Sequence, residues 1–466
     1  MTNISDSGEL ALRFTSLSIT DPNDLVFGRA PKPVDCGFGL RIGDGAVYPE
    51  VNFTLPPMSL DESTRAAALR IYEDMAGHVV TRALALKVPG LVLEFEHLPP
   101  MTESPDWGAE ITRRLVDVLR DAHDATGLPC ALRVTPVDLR ASGRPPQLRS
   151  GKEWETLRES FVLCAEAGAH ILSIESIGSK EVCDEALLAG DSEGITFALG
   201  ALAARDMARL WDEIVSICGA HRAVPGGDSA CGFANTAMQL AHQKLLPEVL
   251  AALVRAMGAP RSLVAFERGA VGPSKDCAYE GPVLKAIAGC PLSMEGKSAA
   301  CAHFSPVGNI AAAMCDLWSN ESVQNVPLLS GPAPEVFTEV LTYDCRLMNE
   351  ALQQGQEKML RDLLVSSDRY KSPQALVLSP QATISIAAAI VGEEDGYRRT
   401  LAAGLAAVAL IREAVEASLL PLSKAESRWL DRIQTALVGL PREEGDLRER
   451  LAPTYGHLYD PASYAL

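Results

Sequence analysis

Two thiols and one carboxylate stand out for where the chain delivers them. Cys277 ends the stretch SLVAFERGAVGPSKDC, after an apolar run and the breakers Gly269, Gly272 and Pro273. Cys231 lies in VPGGDSACGFANTAM, where a glycine-rich loop feeds a helical pattern. Glu175 closes the apolar run of HILSIESIGSK, just before another helix. Thiolates are soft ligands, and a carboxylate completes a three-residue shell that leaves a fourth zinc position open. Such a zinc could polarise a small alcohol. A helix start at Cys231 would also favour its thiolate. Taken singly, each residue has a plainer reading. A lone cysteine in a chain with eleven of them is more often a small buried residue. A carboxylate at a strand end can equally be satisfied by an arginine or by loop amides.

Other polar residues sit close enough to orient ligands or carry a proton. Glu96 and His97 end the run GLVLEFEHLP, Asp228 precedes Cys231 by three residues, and Lys275, Tyr279 and Glu280 crowd Cys277. Glu295, Lys297, Cys301 and His303 form a further loop. For all of these, a solvated charge or a local cap is the simpler role. Nucleotide signatures fail: Gly296-Lys297-Ser298 lacks the leading P-loop glycine, because position 291 is Pro291. HExxH, CxxC and GxSxG are absent.

The elements that must position these residues alternate. Strands are expected at 90–99, 129–139, 170–175, 194–203 and 262–267, with helices at 61–88, 111–127, 153–169 and 205–221 and from about Pro282. The residues before these, including LRIGDGAVYPEVNF, suggest a cap or hairpin. Repeated strand–helix units imply parallel strands with right-handed crossovers. At least five units before residue 300 favour an α/β fold of the (β/α)8 TIM-barrel type, with an open sheet as the alternative. Three regions are expected: an N-terminal cap and first helix (1–85), a barrel core (86–330), and a C-terminal helical layer (331–466).

Composition narrows the classes. The net charge of −18 over 466 residues argues against nucleic acid and against anionic membranes. The apolar stretches 382–391 and 401–411 are too short to span a bilayer. The opening MTNISDSGEL lacks a secretory pattern, which points to the cytoplasm and to free or metal-bound thiols.

Longer stretches carry a resemblance. VFGRAPKPVDCGFGLRIGDGAVYPEVNF, LVLEFEHLPPMTESPDWGAE, LSIESIGSKEV, GGDSACGFANTAM, APRSLVAFERGAVGPSKDCAYE, MEGKSAACAH, LWSNESV and TYDCRLMN are together similar to the zinc subunit of methanol–corrinoid protein methyltransferases. Similarity runs along most of the chain, although beyond about residue 390 it is one of helical character only. It implies a TIM barrel whose zinc ligands fall on Glu175, Cys231 and Cys277. It further implies methyl transfer from methanol to the Co(I) corrinoid of a partner protein, with association in homo- or hetero-oligomers. The same ligands would suit another small methoxy or methyl donor. The remaining alternatives are a zinc-dependent barrel lyase or hydrolase, and an inactive barrel that scaffolds a corrinoid protein. DxHxxG, which corrinoid carriers of this kind use, is absent, so the corrinoid is expected on the partner.

Overall fold

The computed structural model describes residues 12–275, 279–297, 305–322, 327–328 and 331–466. A hairpin opens it, with β1 (Arg29–Cys36) antiparallel to β2 (Leu40–Asp44). The next strand, β3 (Tyr48–Phe53), is not part of that hairpin. It lies within the central sheet, parallel to β4 (Leu91–Glu96) and to β9 (Leu317–Ser322). Between β3 and β4 runs α1 (Arg65–Leu86). Then come α2 (Pro99–Glu103), α3 (Pro105–Thr126), β5 (Cys130–Thr135), α4 (Lys152–Glu166), β6 (Ile171–Ile174) and α5 (Lys180–Ala189). The chain continues through α6 (Ser192–Thr196), α7 (Ala204–His221), β7 (Val224–Asp228), α8 (Cys231–His242), α9 (Glu248–Glu267), α10 (Gly281–Ala288), β8 (Ser293–Glu295) and α11 (Gly308–Ala312). Seven parallel strands form one curled sheet in the order β7-β6-β5-β4-β3-β9-β8. Residues 271–275 run between its two outermost strands. Val271 N–H donates to Pro225 O of β7 at 2.9 Å, and Ser274 bridges Leu292 beside β8 in parallel sense.

Two expected strands are helical. The 262–267 run belongs to α9, whose residues are buried almost all round. A helix apolar on every side has no polar stripe, so its periodicity vanishes and a six-residue window reads as a buried strand. By length and composition α9 could cross a membrane, yet 94% of its apolar window is buried inside the fold. The 194–203 run is α6 followed by a π-helical segment, Phe197–Ala203, with every residue buried. Gly200 lets another helix start press close, since a Cβ there would lie 2.9 Å from Tyr397 Cα.

β7 escaped prediction for the opposite reason. Its sequence, VPGGD, carries almost no side-chain volume. The room is taken from inside the sheet: a Cβ on Gly226 would meet Ser173 Oγ at 2.5 Å and Arg133 Nη1 at 3.2 Å.

Two short strands, β10 (Pro327–Leu328) and β11 (Gly331–Pro332), pair antiparallel. Helices follow to the end: α12 (Ala333–Gln353), α13 (Glu357–Asp368), α14 (Pro373–Leu378), α15 (Pro380–Val391), α16 (Gly396–Glu416), α17 (Lys424–Val438) and α18 (Glu444–Tyr455). Ser372, Ser379, Asp395 and Ser423 cap the starts of α14 to α17 by accepting backbone N–H groups. The capped helix α16 packs along α9.

Candidate active site

Alternation along β4 decides which groups enter the sheet's concave interior. Glu94 and Glu96 are two residues apart and share a face, while Phe95 and His97 point the other way, into ring contact with each other. Lys275 reaches the same interior point. Its Nζ lies 3.0 Å from Glu94 Oε1, 3.3 Å from Glu96 Oε2 and 3.3 Å from Glu175 Oε1. Thr135 Oγ1 donates to Glu94 at 2.8 Å, and Asn52 Nδ2 donates to Glu96 at 2.9 Å. Burial raises the Glu94 carboxyl, but the positive charges of Lys275 and Arg133 outweigh it and hold its pKa below the ordinary range. Burial lowers the Lys275 pKa, yet its three carboxylates leave it well above the usual lysine value.

One layer deeper, Arg133 is fully buried. Its Nε donates to Glu50 Oε1 at 2.7 Å, and its Nη1 donates to Ser173 Oγ at 2.7 Å and Pro273 O at 2.9 Å. Ser293 donates to the other Glu50 oxygen. This one guanidinium therefore ties β3, β5 and β6 to the 271–275 segment. Burial, opposed mainly by Arg133, raises the Glu50 pKa.

Three neighbouring loops leave this end of the sheet. β6 pairs with β7 through Ile174 and Asp228, so Glu175 is one residue past that rung and Cys231 is three past it. Cys231 is the first residue of α8 and is 9% exposed; Asn235, one turn on, points Nδ2 at its sulfur from 2.9 Å. Eight described cysteines are free thiols. Cys277 lies outside the described residues, as do Cys301 and His303. Among the described residues, no three His, Cys, Asp or Glu side chains alone make a metal cluster.

The other candidates divide by role. Asp228 is fully buried; it accepts from Ser176 N–H at 3.2 Å and Trp211 Nε1 at 3.1 Å, and pairs with Arg261. Glu280 is 2% exposed and accepts from Ala230 N–H at 2.6 Å and Ser262 Oγ at 2.7 Å. Both carboxylates fasten loops instead of facing the interior with Lys275. Tyr279 is buried beneath the Arg255 guanidinium, at a φ of 66°. His97 lies behind the sheet, with Nδ1 3.0 Å from Thr102 Oγ1, and burial drops its pKa to about 3. It is therefore neutral and distant in role from any proton donor. The sequence reading passed over Glu94, Glu50, Arg133, Asn235 and Arg261. Only Glu94 carried a local signal, the period-two pairing with Glu96 in LVLEFE.

A family model described as the methanol-cobalamin methyltransferase B subunit matches residues 11–465. A methanol–corrinoid protein co-methyltransferase of Methanosarcina barkeri (strain Fusaro / DSM 804) is 39% identical over 435 residues, covering 92% of this chain and 94% of the relative. The crystal structure of the methanol:cobalamin methyltransferase complex MtaBC from Methanosarcina barkeri superposes with a TM-score of 0.94 at 36% identity, covering 98% of this chain and 100% of that one. With family model, sequence relative and fold in agreement over nearly all of its length, the chain is a methyltransferase and belongs to the methanol-cobalamin methyltransferase B subunit family.

Proposed function

We propose that the protein transfers a methyl group from methanol to the cobalt of a corrinoid carried by a partner protein, and that Glu175, Cys231 and Cys277 hold a zinc ion for this reaction. The Lys275–Glu175 ion pair carries the reading. It joins the loop of Glu175 to the segment that delivers Cys277 two residues later, while the β6–β7 rung brings Cys231 onto the next loop. The donor set fits a divalent cation. Glu94, Glu96 and Glu175 converge on one lysine, and Cys231 presents its sulfur at the start of the next helix. Zinc, when bound, would supply Lewis acidity toward the alcohol oxygen.

The chain's own residues do the rest. Lys275 fixes one oxygen of Glu175 and neutralises part of the carboxylate cluster. Asn235 supports a Cys231 thiolate by hydrogen bonding. Glu50 and Arg133 fill the space beneath, leaving the sheet's open end for methanol and the corrinoid. We read residues 271–275 as the eighth stave of a (β/α)8 barrel that begins at β3, because they bond to both outermost strands. The partner would then cap the end where the three loops emerge. The names of the Methanosarcina relatives support methanol and the corrinoid protein as substrate and partner.

The test is metal analysis of reduced protein alongside a methyl-transfer assay. Wild type should hold about one zinc per chain, and Cys231→Ala/Cys277→Ala should hold almost none. Reduced corrinoid protein should show the spectral change of methylation with methanol. Full zinc content in the double variant would rule out the ligand set. Methylation only with another donor would move the substrate and keep the site.

A further inference from the structure

We infer that Arg261 and Ser262, adjacent residues inside α9, are positioning residues that set the metal-binding geometry from behind the loops. This rests on the zinc reading above and adds what holds its ligands in place. Arg261 Nη2 donates to Ser176 O at 2.6 Å, to Ser176 Oγ at 2.5 Å and to Asp228 Oδ1 at 3.1 Å. Asp228 Oδ1 in turn accepts the Ser176 N–H at 3.2 Å. The residue after Glu175 is thus gripped at its amide, its carbonyl and its hydroxyl. The guanidinium also lies 5.0 Å over the ring of Phe233, two residues past Cys231. Ser262 takes the other side. Its hydroxyl donates to Glu280 Oε1 at 2.7 Å, and that same oxygen accepts the Ala230 N–H just before Cys231. Arg261 Nη1 closes the bracket on Ser262 Oγ at 3.2 Å.

One turn of a buried helix therefore reaches the loop of Glu175 directly, the start of α8 through Asp228 and Glu280, and the segment just after Cys277 through Glu280. All of these groups are 0–2% exposed, so water cannot substitute for a lost partner. A fixed outer shell of this kind orients ligands and strengthens metal binding, typically by 10–100-fold. Lysine cannot replace this arginine: it has no planar fork to span Ser176 and Asp228 together.

The experiment measures zinc affinity by chelator competition in reduced full-length protein, together with kcat and KM for methanol and the unfolding midpoint of the metal-free form. Ser262→Ala, Arg261→Lys and Arg261→Met are compared with Cys231→Ala. Ser262→Ala should still unfold cooperatively, with the metal-free midpoint lowered by the loss of one buried hydrogen bond, yet bind zinc about tenfold more weakly and lose kcat more than methanol KM. Arg261→Met should exceed it and Arg261→Lys should rescue little. If Arg261→Met does not fold, Ser262→Ala decides alone. Wild-type zinc affinity in Ser262→Ala, with Cys231→Ala losing its zinc, overturns the positioning role and spares the ligand set. Unchanged zinc in Cys231→Ala overturns the zinc reading instead.

Discussion

Replacing Arg133 with methionine tests the charge balance beneath the site. Methionine keeps most of the stem's bulk and removes three hydrogen bonds, to Glu50, Ser173 and Pro273. Glu50, 0% exposed, then has no counter-ion. The electrostatic cost has a ceiling, because the carboxyl can take up a proton instead. From an unfolded value of 4.5, protonation at pH 7 costs at most about 3.4 kcal/mol, at about 1.36 kcal/mol per pH unit. The bonds lost at Ser173 and Pro273 add about 1 kcal/mol each. The loss at pH 7 is therefore at most about 5 kcal/mol, in line with other broken buried pairs, and smaller by whatever the already raised Glu50 carboxyl costs in the wild type. The sign of the pH dependence is definite. The folded Glu50 pKa is already raised and rises further without Arg133, so its penalty grows as pH climbs above the unfolded value. It should fade on acidification. At pH 5.5, still above the sequence pI of about 5.0, the ceiling falls to about 1.4 kcal/mol. Urea unfolding followed by circular dichroism at both pH values reads this difference of about 2 kcal/mol. Glu50→Gln/Arg133→Met should recover about as much at pH 7. An equal loss at both pH values, or a double variant no more stable than Arg133→Met, would refute the account.

Two further outcomes are expected. His97→Gln should leave the pH profile of kcat unchanged, because burial holds this imidazole neutral, with its pKa near 3. The folded pKa is depressed, so the histidine's contribution is complete above the unfolded value of 6.5 and declines as pH falls below it. The stability gap between wild type and variant should therefore narrow by about 1 kcal/mol from neutral pH to pH 5.5, and a profile whose limb moves with the substitution would return His97 to catalysis. Gly178→Ala should cost about 1–3 kcal/mol and weaken zinc binding. Its Cβ would meet Asp206 Oδ2 at 2.1 Å, and Asp206 is locked onto Arg140. Thermal unfolding and chelator competition check it, and an unperturbed variant would show that the loop after Glu175 has slack.

Reading elements from one chain worked for the units around β4, β5 and β6. These strands are short apolar runs buried at nearly every position, and α3 and α4 between them carry an apolar stripe on one face only. The C-terminal region was legible as a helical layer, whereas the short α14 within it was not singled out. α9 and the 197–203 segment were not, since burial on all sides erases the period that separates helix from strand. β7 was hidden because Ser173 and Ile171 of β6, with Arg133 behind them, occupy the volume a side chain at Gly226 would fill.

By itself the sequence determined the strand–helix grammar, the loop positions of Glu175 and Cys231, and the long stretches that mark the family. Tertiary structure alone decided that Glu94, Glu96, Glu175 and Lys275, up to 181 residues apart along the chain, share one buried point, and that Arg261 from a neighbouring helix secures the loop behind it. The physical reason is that charge pairing inside a curled sheet depends on which strands become neighbours. No local pattern of residue types carries that information.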